Sequence, residues 1–308
     1  MSISRQNLSV IIVSFKSDHV IHRCINSIDK EIEIVVIDNS NNAKFKKNIE
    51  EQYKNVKCIL SSKNIGMGAG NNIGIKSVNK DFALILNPDV TLEKDTINEI
   101  INASKLLNEF GVIAPISDKL KYPNYRFDKN ENHKFERINP FKVETVDGYS
   151  MLLNLKRLKE LDNFNFFDEN FFLYFEEFDL CKSLKDKGEK VYSSKKLKIH
   201  HLGLKSSVDE NSVNKKSINR LREWHWMWSS FYFYKKNYNY FYALNKIFGK
   251  FVKAFFKLIF YILIFNKNEK EKYKYRFLGI LNGILCRPSS FRDNSNNFFT
   301  LGSSFMSF

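Results

Sequence analysis

Asp89 follows an apolar segment that predicts a buried strand, and a carboxylate in such a position needs a partner. Residues 83–92, ALILNPDVTL, begin as an apolar strand and then break at Asn87-Pro88-Asp89. Asn-Pro-Asp is good turn chemistry, so this carboxylate could simply cap a turn or the following helix. It could also hold Mg²⁺ or Mn²⁺, because these ions bind few protein carboxylates and take their remaining ligands from substrate phosphates and water. The residues alone leave both interpretations open.

A second acidic group lies in residues 174–180, YFEEFDL, where three acids occupy four positions. On a helix, Glu176 and Asp179 would share a face and Glu177 would project elsewhere. One interpretation is structural, since the helix dipole favours acids in a first turn. The other is that one of the three serves as a general base toward a hydroxyl. That role requires hydrogen-bond reach and a pKa tuned by neighbouring groups.

Two adjacent histidines, His200 and His201, follow a short apolar segment further along the chain. A histidine is commonly a satisfied structural residue. In an extended segment, neighbouring side chains point to opposite faces. At most one of the two is therefore expected to face a cleft.

Residues 64–75, NIGMGAGNNIGI, combine four glycines with three asparagines. The G-x-G-x-x-G fingerprint of dinucleotide-binding folds fails here, because Asn71 stands where its last glycine belongs. No lysine follows Gly74 in the frame of a P-loop either. A nicotinamide-dependent dehydrogenase is therefore disfavoured. The composition instead predicts a tight loop whose amides and asparagine side chains line a polar pocket, with Asn64, Asn71 and Asn72 as the candidates.

Strands and helices alternate in the first third of the chain. Apolar runs predict buried strands at 8–15, 32–40, 56–60 and 82–86, with helices between them at 18–29, 42–53 and from the glycine stretch to 79. This alternation predicts a doubly wound α/β sheet. Ligands of such sheets bind beyond the carboxyl ends of the strands. Asp38 and Asp89 both fall at that edge and are expected to face one cleft.

The pattern weakens between about 115 and 142, which we interpret as a long loop over the site. Residues 143–158 then predict a strand that turns into a helix. The FFDEN segment is expected to lead, as a loop, into a helix that ends at Gly188. A short strand, KVYSS, precedes the histidines.

Charge is distributed unevenly. Residues 1–180 carry 24 Lys and Arg against 26 Asp and Glu, a net of −2, whereas residues 181–308 carry 25 against 8, a net of +17. Such asymmetry indicates an anionic partner. Nucleic acid is disfavoured because no binding motif accompanies the charge.

The basic half contains an aromatic segment, residues 222–242, followed by an apolar one, residues 243–265. Four lysines recur at helical spacing, and almost everything between them is apolar, which predicts an amphipathic helix: Lys246, Lys250, Lys253 and Lys257. The uninterrupted apolar run 258–265 is far shorter than the roughly 20 residues that span a bilayer. We therefore predict a helix lying on the inner membrane surface. A helical lid packed on the first domain is the alternative.

The four cysteines are widely separated and show neither a CxxC pair nor a zinc spacing. This scatter predicts buried, reduced thiols in a cytosolic protein. The N-terminus enters a strand almost at once, without the apolar stretch of a signal peptide. Together these features predict a cytoplasmic protein, peripheral on the inner face of the cell membrane.

In this order, the motifs resemble the family 2 glycosyltransferases with a GT-A fold, in particular the rhamnosyltransferase-like branch. The resemblance covers about residues 8–207 and rests on SVIIVSF, VVIDNSNN, NIGMGAGNNIGI, LILNPDV, DGYSMLL, FFDENFFLYFEEFDLCKSL and IHHLGLKSS. It implies a mixed, mostly parallel sheet flanked by helices. Residues 1–215 would form the catalytic domain, with a nucleotide-sugar half at about 1–115 and an acceptor half at about 140–210. Residues 216–290 would form a basic, aromatic helical extension, and 291–308 a loosely ordered tail.

The resemblance also implies roles for single residues. Asp89 would be the surviving acid of the family's D-x-D element and would bind Mg²⁺ or Mn²⁺ with His201 as second ligand. Glu177 takes the place of the usual catalytic aspartate, with Glu176 and Asp179 as alternatives for the base. Lys182 and Ser183 stand where many relatives carry an arginine. Asp38 would contact the base or ribose. The remaining donor-binding residues would be Ser14, Asn64, Gly66, Asn71, Asn87, Asp147 and Gly148.

The implied reaction is an inverting transfer of a sugar, rhamnose-like by branch, from a nucleotide diphosphate sugar to a hydroxyl. The acceptor would be a glycan or a lipid-linked saccharide in cell-surface polysaccharide synthesis. No glycosyl-enzyme intermediate would form. The alternative is a catalytically inactive relative that holds a nucleotide sugar or recruits a partner, because Glu177 and the single acid of Asn87-Pro88-Asp89 depart from the family pattern.

Overall fold

The computed structural model describes residues 3–116, 124–127, 139–202 and 215–292. The chain divides into two compact units, Met1–Asp209 and Glu210–Phe308. The first unit is built around a mixed sheet, and the described part of the second unit is helical.

The first half of the large sheet consists of four parallel strands, and an α-helix follows each of the first three. The strands are β1 (Leu8–Ser14), β2 (Glu33–Asp38), β3 (Val56–Leu60) and β4 (Phe82–Leu86), and the connecting helices are α1 (Asp18–Asn26), α2 (Ala43–Gln52) and α3 (Met67–Ser77). Every residue of β1 and of β4 is buried, as expected for Val/Ile/Leu-rich strands covered on both faces. The predicted α/β alternation is confirmed, with helices that end one to three residues earlier than predicted.

A three-residue strand, β5 (Val90–Leu92), and helix α4 (Thr96–Lys105) follow β4. The rest of the unit adds β6 (Val112–Pro115), β7 (Tyr125–Arg126), β8 (Phe141–Val143), β9 (Thr145–Val146), β10 (Ser150–Asn154), β11 (Val191–Ser194) and β12 (Ile199–His201), with helices α5 (Leu155–Lys159) and α6 (Glu176–Asp186). The large sheet has the order β3-β2-β1-β4-β10-β6-β11-β8. β10 and β8 run antiparallel to their neighbours, so the predicted mixed, mostly parallel sheet is confirmed.

The region from 115 to 142, predicted as one long loop, lies mainly outside the described residues. Within the described part it contains two strands. β7 pairs with β9, and β8 forms the edge of the large sheet beside β11. The prediction of an unbroken loop is therefore wrong. The polar, asparagine-rich composition does not indicate strands, and these two are stabilised by pairing with distant segments.

Two hydrophobic layers cover the sheet. Alternate residues of β1 point into different clusters, Val10 and Ile12 into one, Ile11 and Val13 into the other, because side chains alternate across a strand. Helix α3 packs on the second layer. A Cβ at Gly74 would lie 2.4 Å from Ile11 Cγ2 and one at Gly70 would lie 2.8 Å from Val13 Cγ1. These two glycines bring the helix close to β1, so they serve packing and not the polar pocket predicted for them.

Gly66 precedes α3 and allows the backbone of a distant segment to approach closely. Its φ is +90°, and a Cβ there would lie 2.2 Å from the carbonyl oxygen of Phe172. The same oxygen accepts a hydrogen bond from Met67 N at 3.1 Å, and the Asn39 Nδ2 amide donates to Gly66 O at 3.0 Å. A glycine is required here both for its backbone conformation and for space.

The described part of the second unit contains three helices, α7 (Lys215–Asn237), α8 (Tyr240–Leu263) and α9 (Lys267–Ile284). Their shared core is formed by Met227, Phe231, Ala243, Ile247 and Ile280. In the described part of the chain, no helix is both long enough and apolar enough to span a bilayer.

The four lysines of the predicted stripe on α8 have different neighbours in the folded unit. Lys250 donates to Ser230 Oγ on α7 at 3.3 Å, and burial, with the charge of Arg276, lowers its pKa. Lys257 lies over the rings of Tyr261 and Tyr273. Lys246, Lys250 and Lys253 are exposed, and Lys246 lies over the ring of Tyr242.

We predict that Gly66→Ala destabilises the protein, because the new methyl group would overlap Phe172 O in a backbone conformation that alanine avoids. The free energy of unfolding should fall by at least about 2 kcal/mol. Gly249→Ala is the matched control, since nothing lies within 4 Å of a Cβ at this helical position, and it should be neutral or stabilising. Urea denaturation measures both. Equal stability of the two variants would contradict the role given to Gly66.

Candidate functional site

The predicted site residues collect at the carboxyl edge of the parallel strands. Ser14 ends β1 and is paired in register with Asp38, which ends β2. Asn87 and Asp89 follow β4. Because β10 runs antiparallel to β4, its amino end meets the same edge, and Asn87 N donates to Tyr149 O at 2.9 Å. The prediction that Asp38 and Asp89 stand at one edge is therefore met by the topology.

Asp89 and His201 are brought together by the small β5–β12 sheet. His201 pairs in register with Val90, and Leu202 N donates to Asp89 O at 3.2 Å. His201 Nε2 lies 3.6 Å from Asp89 Oδ1. The ring of Tyr149 stacks on the imidazole with centroids 4.4 Å apart, so the histidine is held in place.

His200 points the other way, as expected for an extended pair. Its Nε2 lies 3.4 Å from Glu93 Oε1, and its side chain is 63% exposed, against 24% for His201. Only His201 faces Asp89.

The Asp89–His201 pair has the composition and spacing of part of a divalent-cation site. Two ligands at about 2.1 Å from one ion can lie up to about 4.2 Å apart, and the observed separation of 3.6 Å falls within that range. Across the described ranges no cluster of three or more His, Cys, Asp or Glu side chains could hold a metal ion. The residues therefore fit an ion that takes most of its ligands from a substrate and water.

Several buried polar atoms at this edge accept or donate no hydrogen bond within the described part of the chain. They are Ser14 Oγ, Asn71 Oδ1, Asn87 Oδ1, both carboxylate oxygens of Asp89 and Glu176 Oε2. Buried polar groups are nearly always paired in native proteins. A concentration of unsatisfied acceptors at the carboxyl edge of a sheet indicates a site that an external polar ligand or cation completes.

Asp38 is already engaged by the chain. Its two carboxylate oxygens accept hydrogen bonds from Ser40 N at 3.1 Å and from Asn42 N at 2.9 Å. The side chain is buried and fixes the turn after β2. Each oxygen keeps a second lone pair for a ligand hydroxyl or amide.

The three asparagines of the glycine segment have different roles. Asn64 Oδ1 accepts from Gly66 N at 3.1 Å and shapes the turn. Asn72 Nδ2 donates to Phe167 O and to Glu169 Oε1, and Asn72 Oδ1 accepts from Phe167 N. Asn72 therefore braces α3 against the segment before α6, and its predicted place in the pocket lining is corrected to a structural one. Asn71 carries the unsatisfied oxygen.

The acidic cluster opens α6, after Tyr174 and Phe175 in left-handed conformation. Glu176 and Asp179 are buried, as predicted for residues on one face. Glu177 points elsewhere. A Cβ at Gly148 would lie 3.2 Å from its Cβ, which places the glutamate beside the turn before β10.

The electrostatics of this cluster favour protonation. Burial raises the pKa of Glu176 to about 7. Burial, the charge of Glu176 and that of Asp147 raise the pKa of Glu177 well above its usual range, while Arg126 opposes the rise. Burial raises the pKa of Asp147 to about 6, against the opposing charges of Arg126 and His201.

Arg126 was missed at the sequence level. It lies on β7, in the segment interpreted as a loop, and the β7–β9 pairing places it near Asp147 and Glu177. Its guanidinium carbon lies 4.9 Å from the centre of the Phe178 ring. No sequence motif marks this arginine, and only the pairing of two-residue strands reveals it.

We predict that Glu176→Gln stabilises the protein above neutral pH. The raised pKa means that the folded state holds the proton more tightly than the unfolded state. Stability therefore falls as pH rises from the ordinary value of 4.5 through about 7. The neutral amide removes this loss and should add about 1–3 kcal/mol at about pH 8, with little change below about pH 4.5. Urea denaturation at several pH values measures the difference.

The exposed Glu51→Gln change is the matched control and should leave the pH profile of stability unchanged. A Glu176→Gln variant whose stability runs parallel to that of the wild type at every pH would contradict the assignment.

Two curated proteins are similar to this chain. Agl10, a low-salt glycan biosynthesis hexosyltransferase of Haloferax volcanii, is 28% identical over 191 residues, which are 57% of this chain and 60% of Agl10. The chain thus covers less than two thirds of that relative. Rhamnosyltransferase WbbL of Escherichia coli K12 is 25% identical over 212 residues, 59% of this chain and 78% of WbbL.

Among solved structures, the mannosyltransferase PcManGT of Pyrobaculum calidifontis, in complex with GDP-Man and Mn²⁺, has a TM-score of 0.54. The match covers 91% of this chain and 88% of that chain at 10% identity. At that identity the likeness concerns the fold, and it confirms the predicted GT-A architecture. The sequence model for "Glycosyl transferase family 2" matches residues 9–175, more than half of the chain. The chain belongs to glycosyl transferase family 2.

Proposed function

We propose that the protein transfers a sugar from a nucleotide diphosphate sugar to a hydroxyl of a glycan or lipid-linked saccharide, with inversion at the anomeric carbon. The observation that carries the proposal is the set of buried, unsatisfied polar atoms around the Asp89–His201 pair. Agl10 and WbbL, named as a hexosyltransferase and a rhamnosyltransferase, support it. We take a rhamnose-like donor and a role in cell-surface polysaccharide synthesis as the finer assignment.

The donor would bind along the carboxyl edge of β1, β2 and β4. Asp38 and Ser14 lie where the nucleoside would be placed, and Asn64, Gly66 and Asn71 shape the wall formed by the start of α3. Asn87 and Asp89 would lie nearest the diphosphate. The unsatisfied acceptor atoms of this set would receive hydrogen bonds from hydroxyl and amide groups of the nucleotide sugar. These bonds would offset the free-energy cost of burying the acceptors.

Asp89 and His201 would hold Mg²⁺ or Mn²⁺. When bound, the ion would supply Lewis-acid stabilisation of the negative charge that grows on the departing nucleotide diphosphate. The protein holds the two side chains in position before the ion binds. Tyr149 fixes the imidazole by stacking, and the β5–β12 pairing fixes the backbone on both sides of the pair.

Glu177 would be the general base. Its carboxylate would take the proton of the acceptor hydroxyl as the oxygen attacks the anomeric carbon from the face opposite the leaving group. Asp147 and Gly148 would line the donor-sugar and acceptor side, and the missing side chain at Gly148 leaves space beside Glu177. Arg126 opposes the rise in the pKa of Glu177 and so favours the ionised form that a base requires. Glu176 and Asp179 remain the alternatives.

A catalytically inactive, nucleotide-sugar-binding protein is the second candidate. It is favoured by one observation, the pKa of Glu177 raised above its usual range by burial, because a raised pKa makes the ionised form that accepts a proton harder to reach. The two candidates share the donor site and differ only in turnover.

We further propose that residues 1–215 form the catalytic domain, with a nucleotide-sugar half at about 1–115 and an acceptor half at about 140–210. The helical residues 216–290 would associate with the inner face of the cell membrane. The predicted tail, 291–308, lies almost entirely outside the described residues. A lipid-linked acceptor would give that association its purpose.

Nucleoside diphosphates should stabilise the wild-type protein only when Mn²⁺ is present, because Asp89 binds them through the ion. With MnCl₂ and a panel of UDP, GDP and dTDP, the selected nucleotide should add about 2.7 kcal/mol at a hundredfold excess over its Kd. Asp89→Asn should lose this stabilisation, whereas the exposed Asp95→Asn should keep it. Thermal-shift measurements report each value, and equal stabilisation of the two variants would refute the metal assignment.

Glu177→Gln should abolish transfer and keep donor binding. General-base catalysis contributes about 10²–10⁴-fold, so kcat should fall by that factor while Mn²⁺-dependent stabilisation by the donor is retained. Glu160→Gln, an exposed control, should transfer normally. Product formation from a radiolabelled donor panel with a saccharide acceptor measures the rate. A Glu177→Gln variant with undiminished turnover would show that the base is another group, and binding without turnover by the wild type would favour the inactive relative.

A further inference from the structure

Helix α8 is apolar on two opposite sides, and the helical unit covers only one of them. Ala243, Ile247 and Ala254 are buried against α7 and α9. The opposite side leaves Phe241 79% exposed and Phe248 66% exposed. At 3.6 residues per turn the exposed residues fall on one continuous face of the helix, here called the outer face: Phe241, Phe248, Phe255, Phe256, Ile259, Phe260 and Leu263.

The outer face continues into the turn between α8 and α9. Phe265 is 88% exposed although the turn around it is well ordered by hydrogen bonds, from Phe265 N to Ile262 O and from Asn266 N to Tyr261 O. Its φ of 56° is unusual for a residue with a Cβ. Asn266 then caps α9 by accepting from Glu269 N. The chain thus fixes a large aromatic side chain in solvent, where it contributes nothing to the core.

The charge around this surface is strongly positive. Residues 215–292 contain 17 Lys and Arg against 3 Asp and Glu. All three acids are already in ion pairs within the unit: Glu223 with Arg276, Glu269 with Lys272 and Glu271 with Arg220. The exposed cations nearest the outer face and its turn in sequence are Lys246, Lys250, Lys253, Lys267 and Lys270, of which Lys250 is hydrogen-bonded to Ser230.

We infer that the outer face and Phe265 dock on the surface of a bilayer that contains anionic lipid, with α8 lying parallel to the membrane plane. A continuous aromatic face beside a cationic rim complements an apolar interior beneath anionic headgroups. A contiguous apolar surface of this extent on a soluble unit marks an interaction site. The excess of positive charge favours an anionic lipid surface as the binding partner, because a second copy of this equally basic unit would be repelled.

The inference deepens the membrane location under the proposed function by assigning the contacting residues. It rests on the helical unit alone, so it can fail while the transfer reaction stands. It also changes which residues matter. Lys250 and Lys257, turned toward Ser230 and Tyr273, should contribute less to binding than Lys246 and Lys253.

The test is flotation of the full-length protein with vesicles of phosphatidylcholine alone or with about 30% phosphatidylserine. Phe256→Ser combined with Phe260→Ser should lower the partition coefficient by at least about tenfold, because two aromatic side chains no longer enter the lipid. Phe256→Trp with Phe260→Trp should retain binding, since tryptophan suits the interface. Leu106→Ser is the matched control, because Leu106 is also an exposed hydrophobic residue, at 66%, but lies in the first unit.

The electrostatic part is tested by Lys246→Glu with Lys253→Glu. This variant should lose binding to the anionic vesicles and leave the weaker binding to neutral vesicles unchanged, whereas Lys250→Gln with Lys257→Gln should lose less. Mn²⁺-dependent stabilisation by nucleotide should persist in all variants, which separates this inference from the proposed function. Equal flotation of wild type and Phe256→Ser/Phe260→Ser would overturn the inference. So would light scattering that shows a dimer dissociated by the same substitutions.

Discussion

The burial of the Asp89 carboxylate without a hydrogen-bond donor from the described chain is the constraint on which the rest of the site depends. A buried, unpaired carboxylate costs several kcal/mol in an apolar environment, so the fold must either compensate for it or use it. The small β5–β12 sheet holds His201 beside it, and Tyr149 on the antiparallel strand β10 fixes the imidazole. Three segments distant in sequence thus converge on one carboxylate. Under the proposed function, a ligand would complete the pair.

The glycines of the first unit act mainly through packing. Gly70 and Gly74 bring α3 close to β1, and Gly66 lets the backbone of Phe172 approach. Asn72 then joins α3 to the segment before α6 by three hydrogen bonds. Through these contacts α3 and the segment before α6 locate the acidic start of α6 relative to the sheet. Under the proposed function this connection would hold the base in register with the donor site, where a misplacement of about 1 Å would cost a large part of the rate.

The sequence was sufficient for the alternating strands β1 to β4, since continuous Val/Ile/Leu runs bounded by polar turns have few other interpretations. It also placed Asp38, Asp89 and Glu177 correctly relative to the elements. It was insufficient for β7 and β8, which are two or three residues long and exist through pairing with distant partners. Arg126 was missed for that reason. The division of the α8 lysines escaped prediction because periodicity identifies a helical face but not what packs on its edges.

The clustered acids lower the stability of the folded protein and raise the proton affinity of their carboxyl groups. Burial raises the pKa of Glu176, Glu177 and Asp147, the charges of Glu176 and Asp147 raise that of Glu177 further, and Arg126 opposes the rise at Glu177 and Asp147. Burial costs stability because each carboxyl must either protonate or remain ionised away from water. The same burial strengthens a base, since a carboxylate with a raised pKa takes a proton more readily once it is ionised. A position between Arg126 and Glu176 therefore gives Glu177 high proton affinity together with a nearby positive charge that stabilises its ionised form. A solvated carboxylate on the surface would have neither property.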